Sequence, residues 1–209
     1  MQLVLASHNA KKLAELRVLL AELAVDLESQ DNLGIDEAEE PHHTFIENAL
    51  LKARHAAATA GRAAIADDSG LCVDALSGAP GVVSAHYAAV AVVPGRDREA
   101  QRATQDAANN ALLLQQLNGV MARDARFVCT LVAVRHAADP EPLVAVGRWP
   151  GHILTAPRGA AGFGYDPLMF ITELGCSVAE MDAATKHQHS HRARAMLHMR
   201  ALMREAWAL

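Results

Sequence analysis

Aromatic residues make up only 4% of this 209-residue chain, cysteine occurs three times, and charge of positive sign is in deficit, with a net charge of -5. Each shortage excludes something. Hydrophobic residues nevertheless reach 51%, so the core is built from alanine, valine and leucine. Few rings and an acidic balance argue against a nucleic-acid-binding surface, which needs a basic field and stacking platforms. Cys72, Cys129 and Cys176 are odd in number, widely spaced and outside any CxxC pair, which excludes a disulfide framework or zinc ribbon. No apolar run is long enough to span a bilayer. Residues 1–6 are apolar, but the run is short and its lysines follow it, the reverse of a signal peptide. The expectation is a cytoplasmic protein with no membrane partner. Neither repeats nor linkers break the chain, so it reads as one folding unit or two small lobes.

What is present centres on Ala66-Asp67-Asp68-Ser69-Gly70. The apolar run Arg62-Ala63-Ala64-Ile65 precedes it and a glycine bounds it, the pattern of a buried strand ending in a tight turn. Strand ends are where α/β folds keep their chemistry. Neighbouring strand side chains point to opposite faces, so Asp67 and Asp68 do different jobs. One could hold a hard cation or take a proton from water, the other brace a backbone or a lysine. A purely polar turn is the alternative.

Leu3-Val4-Leu5-Ala6 reads as a first strand, followed by Ser7-His8-Asn9-Ala10-Lys11-Lys12 and a helix whose leucines recur to about Ala24. A helix N-terminus after a strand seats phosphate on free N–H groups; a plain N-cap with solvated lysines is the competing reading. Residues 25–29 fit a second strand, and an acidic loop runs to Glu40. Thr44 with Glu47 forms a capping box for a helix whose apolar face also carries Lys52. A helix normally turns lysine to water, so Lys52 either snorkels or points into an anionic site.

Residues 90–94 read as loop and 97–117 as helix. The apolar runs 127–134 and 143–149, parted by Asp139-Pro140, read as an antiparallel hairpin buried on both faces. Gly162-Phe163-Gly164-Tyr165-Asp166-Pro167 lets backbone approach a flat ligand and offers a ring to stack on it. Ser190-His191-Arg192 opens the last helix. His42, His43, His187 and His189 complete no zinc pattern and read as surface histidines.

These segments in this order resemble the inosine triphosphatase family. The matching stretches are residues 6–12, Thr44-Phe45-Ile46-Glu47-Asn48-Ala49 with Lys52-Ala53-Arg54, residues 66–71, Gly78-Ala79-Pro80-Gly81, residues 162–167 and Ser190-His191-Arg192. The resemblance implies an α/β fold, a long mixed twisted sheet flanked by helices, in two lobes with the active-site cleft between them. It implies a single nucleotide pyrophosphatase domain over 1–209, acting as a homodimer with Mg2+. The implied reaction converts ITP, dITP and XTP to the monophosphate and pyrophosphate, clearing deaminated purines from the nucleotide pool. Carried over by position, Ser7, His8, Asn9, Ala10, Lys11 and Lys12 hold phosphate, and Lys52 neutralises the triphosphate. Glu40 and Asp68 bind magnesium, Asp68 is the base for the attacking water, and Ser69 lines the site. Phe163, Gly164, Tyr165, Asp166, Lys186, His191 and Arg192 surround the purine. The chain departs from the family pattern at His8, where glycine is frequent, at His86, where arginine is usual, and at His187, where asparagine is common.

The chemistry suits those residue types. Lysines and magnesium offset developing triphosphate charge, and magnesium takes one or two carboxylates plus phosphate oxygens. Hypoxanthine and xanthine present an acceptor where adenine presents an amino donor, and Lys186, Arg192 and protonated His191 only donate. The alternatives are a Maf-like pyrophosphatase of other base preference and a nucleotide-binding module without catalysis.

Overall fold

The computed structural model describes residues 1–91, 95 and 97–209. Of the loop expected over 90–94, residues 92–94 therefore lie outside the described residues. Among the described residues seven strands, β1 (Gln2–Leu5), β2 (Asp26–Ser29), β3 (Ala64–Val73), β4 (Asp124–Val134), β5 (Leu143–Ile153), β6 (Met169–Ile171) and β7 (Cys176–Ser177), form one sheet. Its order is β2-β1-β3-β4-β5-β6-β7. β1 runs parallel to both β2 and β3, whereas β6 is antiparallel to β5 and β7, so the sheet is mixed. The helices are α1 (Ala10–Leu20), α2 (Phe45–Ala60), α3 (Arg98–Gln116), α4 (Ala183–His189) and α5 (His191–Trp207). The fold is α/β.

Two compact units divide the chain, the first comprising Met1–Ser69, Val128–Arg148 and His189–Leu209 and the second Gly70–Phe127 and Trp149–Gln188. In the first unit, the period-2 alternation of strands sorts residues between two apolar clusters. Leu3, Leu5, Ala63 and Ile65 join Leu16 and Leu20 of α1 and Met196 and Met199 of α5. Val4, Ala6, Ala64 and Ala66 join Ala49, Ala53, Ala56 and Ala57 of α2. Alanine on both sides keeps α2 close to the strands, which is how a core poor in rings stays dense. The second unit has its own core, in which Leu71, Val73, Leu113, Leu117, Phe127, Trp149 and Ile153 pack around Tyr165 and Leu168.

Local signals account for the helix ends. Thr44 accepts from the Glu47 N–H and donates its hydroxyl to the Glu47 carboxylate, and Gly61 closes α2 with φ 63° in the left-handed region. Asp97 caps α3 by accepting from the Ala100 N–H at 3.1 Å.

Two expectations need correction. The strand does not stop in a tight turn at Asp67–Gly70; β3 runs straight through to Val73. The reason is charge pairing: with their carboxylates met by lysines and an arginine, the aspartates stay buried in an extended backbone and have no need of a solvated turn. β4 is buried on both faces as expected, but β5 alternates buried with exposed positions, so one of its faces meets water.

Candidate active site

The first unit concentrates its charge at β3. Continuing the alternation of Ala63 and Ile65, Asp67 faces the α1 and α5 side, where Lys12 Nζ lies 2.8 Å from its Oδ1 and Arg192 Nε 2.6 Å from its Oδ2. Ser69 donates its hydroxyl to Asp67 Oδ1 at 2.6 Å, and the Cys129 thiol lies 3.5 Å from Oδ2. Both carboxylate oxygens are thus engaged by donors. Burial alone would push the Asp67 carboxyl up; Arg192 and Lys12 outweigh it and hold the group well below the usual carboxylate range. Arg192 is itself buried, and its other contact is an ion pair with Glu15 of α1.

Asp68 faces the α2 side. Lys52 Nζ lies 2.9 Å from its Oδ1 and 3.2 Å from Glu40 Oε2. The second oxygen of Asp68, Oδ2, is buried and has no hydrogen-bond partner among the described residues. Burial pushes the Asp68 carboxyl up to about 6; Lys52 pulls it down and Glu40 adds to the rise. Burial would lower Lys52, but Asp68, Glu40 and Asp67 outweigh it, so the lysine stays charged. Lys12 and Lys52 also meet at one backbone atom, donating to the Asp67 carbonyl at 3.4 and 3.2 Å. Two ammonium groups thus meet at a single carbonyl, each paired with a carboxylate, beside a carboxylate oxygen to spare.

That oxygen is the atom a hard cation needs. Among the described residues no three His, Cys, Asp or Glu side chains gather as a metal cage. Magnesium does not require one, since it takes one or two carboxylates and fills its remaining positions with water and phosphate oxygens. Asp68 Oδ2, with the half-exposed Glu40 carboxylate on the shared lysine, fits such an ion.

The start of α1 behaves first as a capped helix. Asn9 Oδ1 accepts from the Lys11 and Lys12 N–H groups at 3.0 and 3.2 Å, and Ser7 Oγ accepts from the Asn9 N–H at 3.1 Å. Ala10 and Lys11 are exposed. His8 donates from Nε2 to the Ile35 carbonyl at 2.8 Å, and its Nδ1 lies 3.8 Å from both Asp31 and Glu37. His191 is buried at the start of α5, where Ser190 caps the helix by accepting from the Ala193 N–H.

The second unit gathers the glycine-rich loop. Asp166 Oδ2 accepts from Lys186 Nζ at 2.7 Å and from the Phe163 N–H at 2.9 Å. Lys186 Nζ also sits 4.4 Å from the centre of the Phe163 ring, a cation–π distance. Gly162 has φ +81°, and a Cβ there would fall on the Asp166 carboxylate, so this turn requires glycine. Of the two rings expected to be available, Tyr165 is 4% exposed and packs in the core, with its hydroxyl donating to the Ser84 carbonyl at 3.0 Å. Phe163 is the half-exposed ring.

Sequence reasoning missed Glu15, Asp106 and Asn110. Glu15 lies three residues beyond Lys12 on the same helix face, a spacing that signals shared duty. Asp106 and Asn110 lie in a polar helix with nothing local to mark them.

An α/β sheet with two lysines converging on a pair of buried carboxylates at a central strand defines a class: a protein whose buried charges are arranged to handle a charged ligand. The comparisons with known proteins are specific. The Ham1 family pattern matches residues 3–202, and the chain belongs to that family. It is 70% identical over 207 residues to a dITP/XTP pyrophosphatase of Methylibium petroleiphilum, covering 99% of each chain. Among solved structures it is similar to a HAM1 protein from Coxiella burnetii, with a TM-score of 0.86 at 38% identity over 99% of this chain and 100% of that one. A nucleoside-triphosphatase, dITP/XTP pyrophosphatase, from Mycobacterium abscessus matches with a TM-score of 0.70 at 41% identity, covering 97% and 99%.

Proposed function

We propose that this chain is a nucleoside-triphosphate pyrophosphatase that hydrolyses dITP, ITP and XTP to the monophosphate and pyrophosphate. The observation that carries the reading is the convergence of Lys12 and Lys52 on the Asp67 carbonyl beside Asp68, whose Oδ2 has no partner among the described residues. Two cations suit a triphosphate, and a buried carboxyl pushed up to about 6 suits a group that accepts a proton near neutral pH. The Methylibium petroleiphilum relative, named a dITP/XTP pyrophosphatase and 70% identical over nearly the whole chain, supports the same reaction.

Asp68 is the base that orients and deprotonates the water attacking the α-phosphorus. Lys12 and Lys52 neutralise the phosphate oxygens, with Ser7 to Lys11 and Ser69 lining the phosphate side. Glu40 and Asp68 would hold Mg2+, which when bound adds positive charge against the triphosphate. Arg192 and Glu15 fix Asp67, and Asp67 in turn fixes Lys12.

For the base, Phe163 offers the stacking ring and Asp166 an acceptor. An ammonium has three N–H donors, so Lys186 can face a purine O6 while bonded to Asp166. Adenine would present a donor to that donor and leave both unpaired, a mismatch that sites of this kind reject by roughly four orders of magnitude. His191 and Gly164 complete this side of the proposal, whereas Arg192, paired with Asp67 and Glu15, and Tyr165, packed in the core, act as braces. The reading extends to a cytoplasmic homodimer with no nucleic-acid partner. Among the described residues no helix is long and apolar enough to cross a membrane.

The test is incubation of the purified protein with Mg2+ and, separately, dITP, XTP, dATP and dGTP, with pyrophosphate and orthophosphate both assayed. Pyrophosphate chiefly from dITP and XTP is the expected result. Orthophosphate as first product would refute attack at the α-phosphorus. Equal release from all four would refute the base argument, and no turnover would favour a binding module.

A further inference from the structure

We propose that Asp106 and Asn110 of α3 are positioning residues that clamp the 162–166 loop and thereby set base selectivity; this rests on reading that loop as the base-recognition element. Gly164 stands in the left-handed region with φ 61°. Its N–H donates to Asp106 Oδ2 at 2.8 Å, and its carbonyl accepts from Asn110 Nδ2 at 3.0 Å. The two side chains are four residues apart, on one face of α3, so a single rigid helix holds both polar groups of one loop residue.

The geometry makes this more than a loop tether. Gly164 lies between Phe163 and Asp166, and the Phe163 N–H is itself bonded to the Asp166 carboxylate. Displacing the Gly164 peptide therefore moves the ring and the acceptor together. α3 is also anchored by residues outside the loop. Asn109, 1% exposed, donates to the Ser84 and Ala85 carbonyls at 3.1 and 3.2 Å and accepts from the Ala88 N–H at 2.8 Å. The Ser84 carbonyl also receives the Tyr165 hydroxyl, so the residue after Gly164 is referenced to the same segment as α3. A clamp of this kind acts on where a base is held, not on the water attack. Its loss falls on KM and on discrimination and spares kcat.

Two readouts of Asp106→Ala decide the matter. Amide exchange should become faster in the 162–166 peptide while the 64–69 peptide keeps its rate. KM for dITP should rise about tenfold, the scale of a lost hydrogen bond to a charged group, with kcat little changed and the dITP to dATP ratio of kcat/KM reduced. Asp106→Asn keeps an acceptor oxygen and should restore both readouts. Asn110→Ala should reproduce the effect and carries the test if Asp106→Ala does not fold. Unchanged exchange in 162–166 would overturn the clamp, and faster exchange with unchanged KM and selectivity would overturn its role in recognition. If the wild-type enzyme does not prefer dITP, the base-recognition reading fails and selectivity control fails with it, while exchange still decides whether the clamp itself exists.

Discussion

Asp67 and Asp68 are adjacent, chemically identical and both buried, yet their surroundings make them opposites. On its face of β3, Asp67 meets Lys12, Arg192, Ser69 and the Cys129 thiol, so both oxygens are used and the carboxyl is held far down in pKa. On the other face, Asp68 meets Lys52 through one oxygen only, and burial pushes it up to about 6. Donor count, not residue type, separates the two carboxylates. A saturated carboxylate has no capacity left for substrate or metal and serves as structure. A half-used one at the same depth retains capacity for a proton or a cation.

The comparison can be broken by exchanging the two roles. Asp68→Asn should cut kcat by about a hundred- to ten-thousand-fold, the contribution of a positioned base, while nucleotide binding stays near wild type by equilibrium titration. Near-normal turnover would remove Asp68 from that role. Asp67→Asn should act first on stability, because it removes the buried carboxylate that pairs with buried Arg192 and half-buried Lys12; a loss of about 3–5 kcal/mol in denaturant unfolding is expected. A variant as stable as wild type would show that Asp67 is not the brace. Ser69→Ala removes one hydrogen bond to a charged acceptor and should cost about 2 kcal/mol in the same assay.

The smallest effect extends the rule to a carboxylate away from the site. Asp139 sits in the β4–β5 connection, where burial would raise its carboxyl but the Arg135 and Glu141 N–H groups, bonded at 2.8 and 3.0 Å, outweigh it and lower it. Its folded pKa lies below the unfolded value near 3.9, so its stabilisation is present above that pH and fades as pH falls through the lowered value. Asp139→Asn should flatten that part of the acid-unfolding curve, and an unchanged curve would contradict the assignment.

Much of the site was legible because period-2 and helical spacing are local. Opposite faces for Asp67 and Asp68 followed from the strand, and a lysine on the apolar face of α2 singled out Lys52 as either snorkelling or pointing inward. The extent of β3 was not legible, since Asp, Ser and Gly carry turn preference and only distant cations from α1, α2 and α5 overrule it. The Asn9 cap was one of two readings the sequence left open. Glu15 and the Asp106–Asn110 pair escaped because their partners, Arg192 and Gly164, lie 177, 58 and 54 residues away. The resemblance implied Tyr165 beside the purine, but its ring packs in the core, and a motif position does not separate a stacking aromatic from a core one.

The most direct test of the central claim, water attack at the α-phosphorus, is hydrolysis of dITP in 18O-labelled water followed by mass spectrometry of both products. One labelled oxygen is expected in the monophosphate and none in pyrophosphate. Label in pyrophosphate, or in orthophosphate as the first product, would place the attack at another phosphorus and contradict that claim.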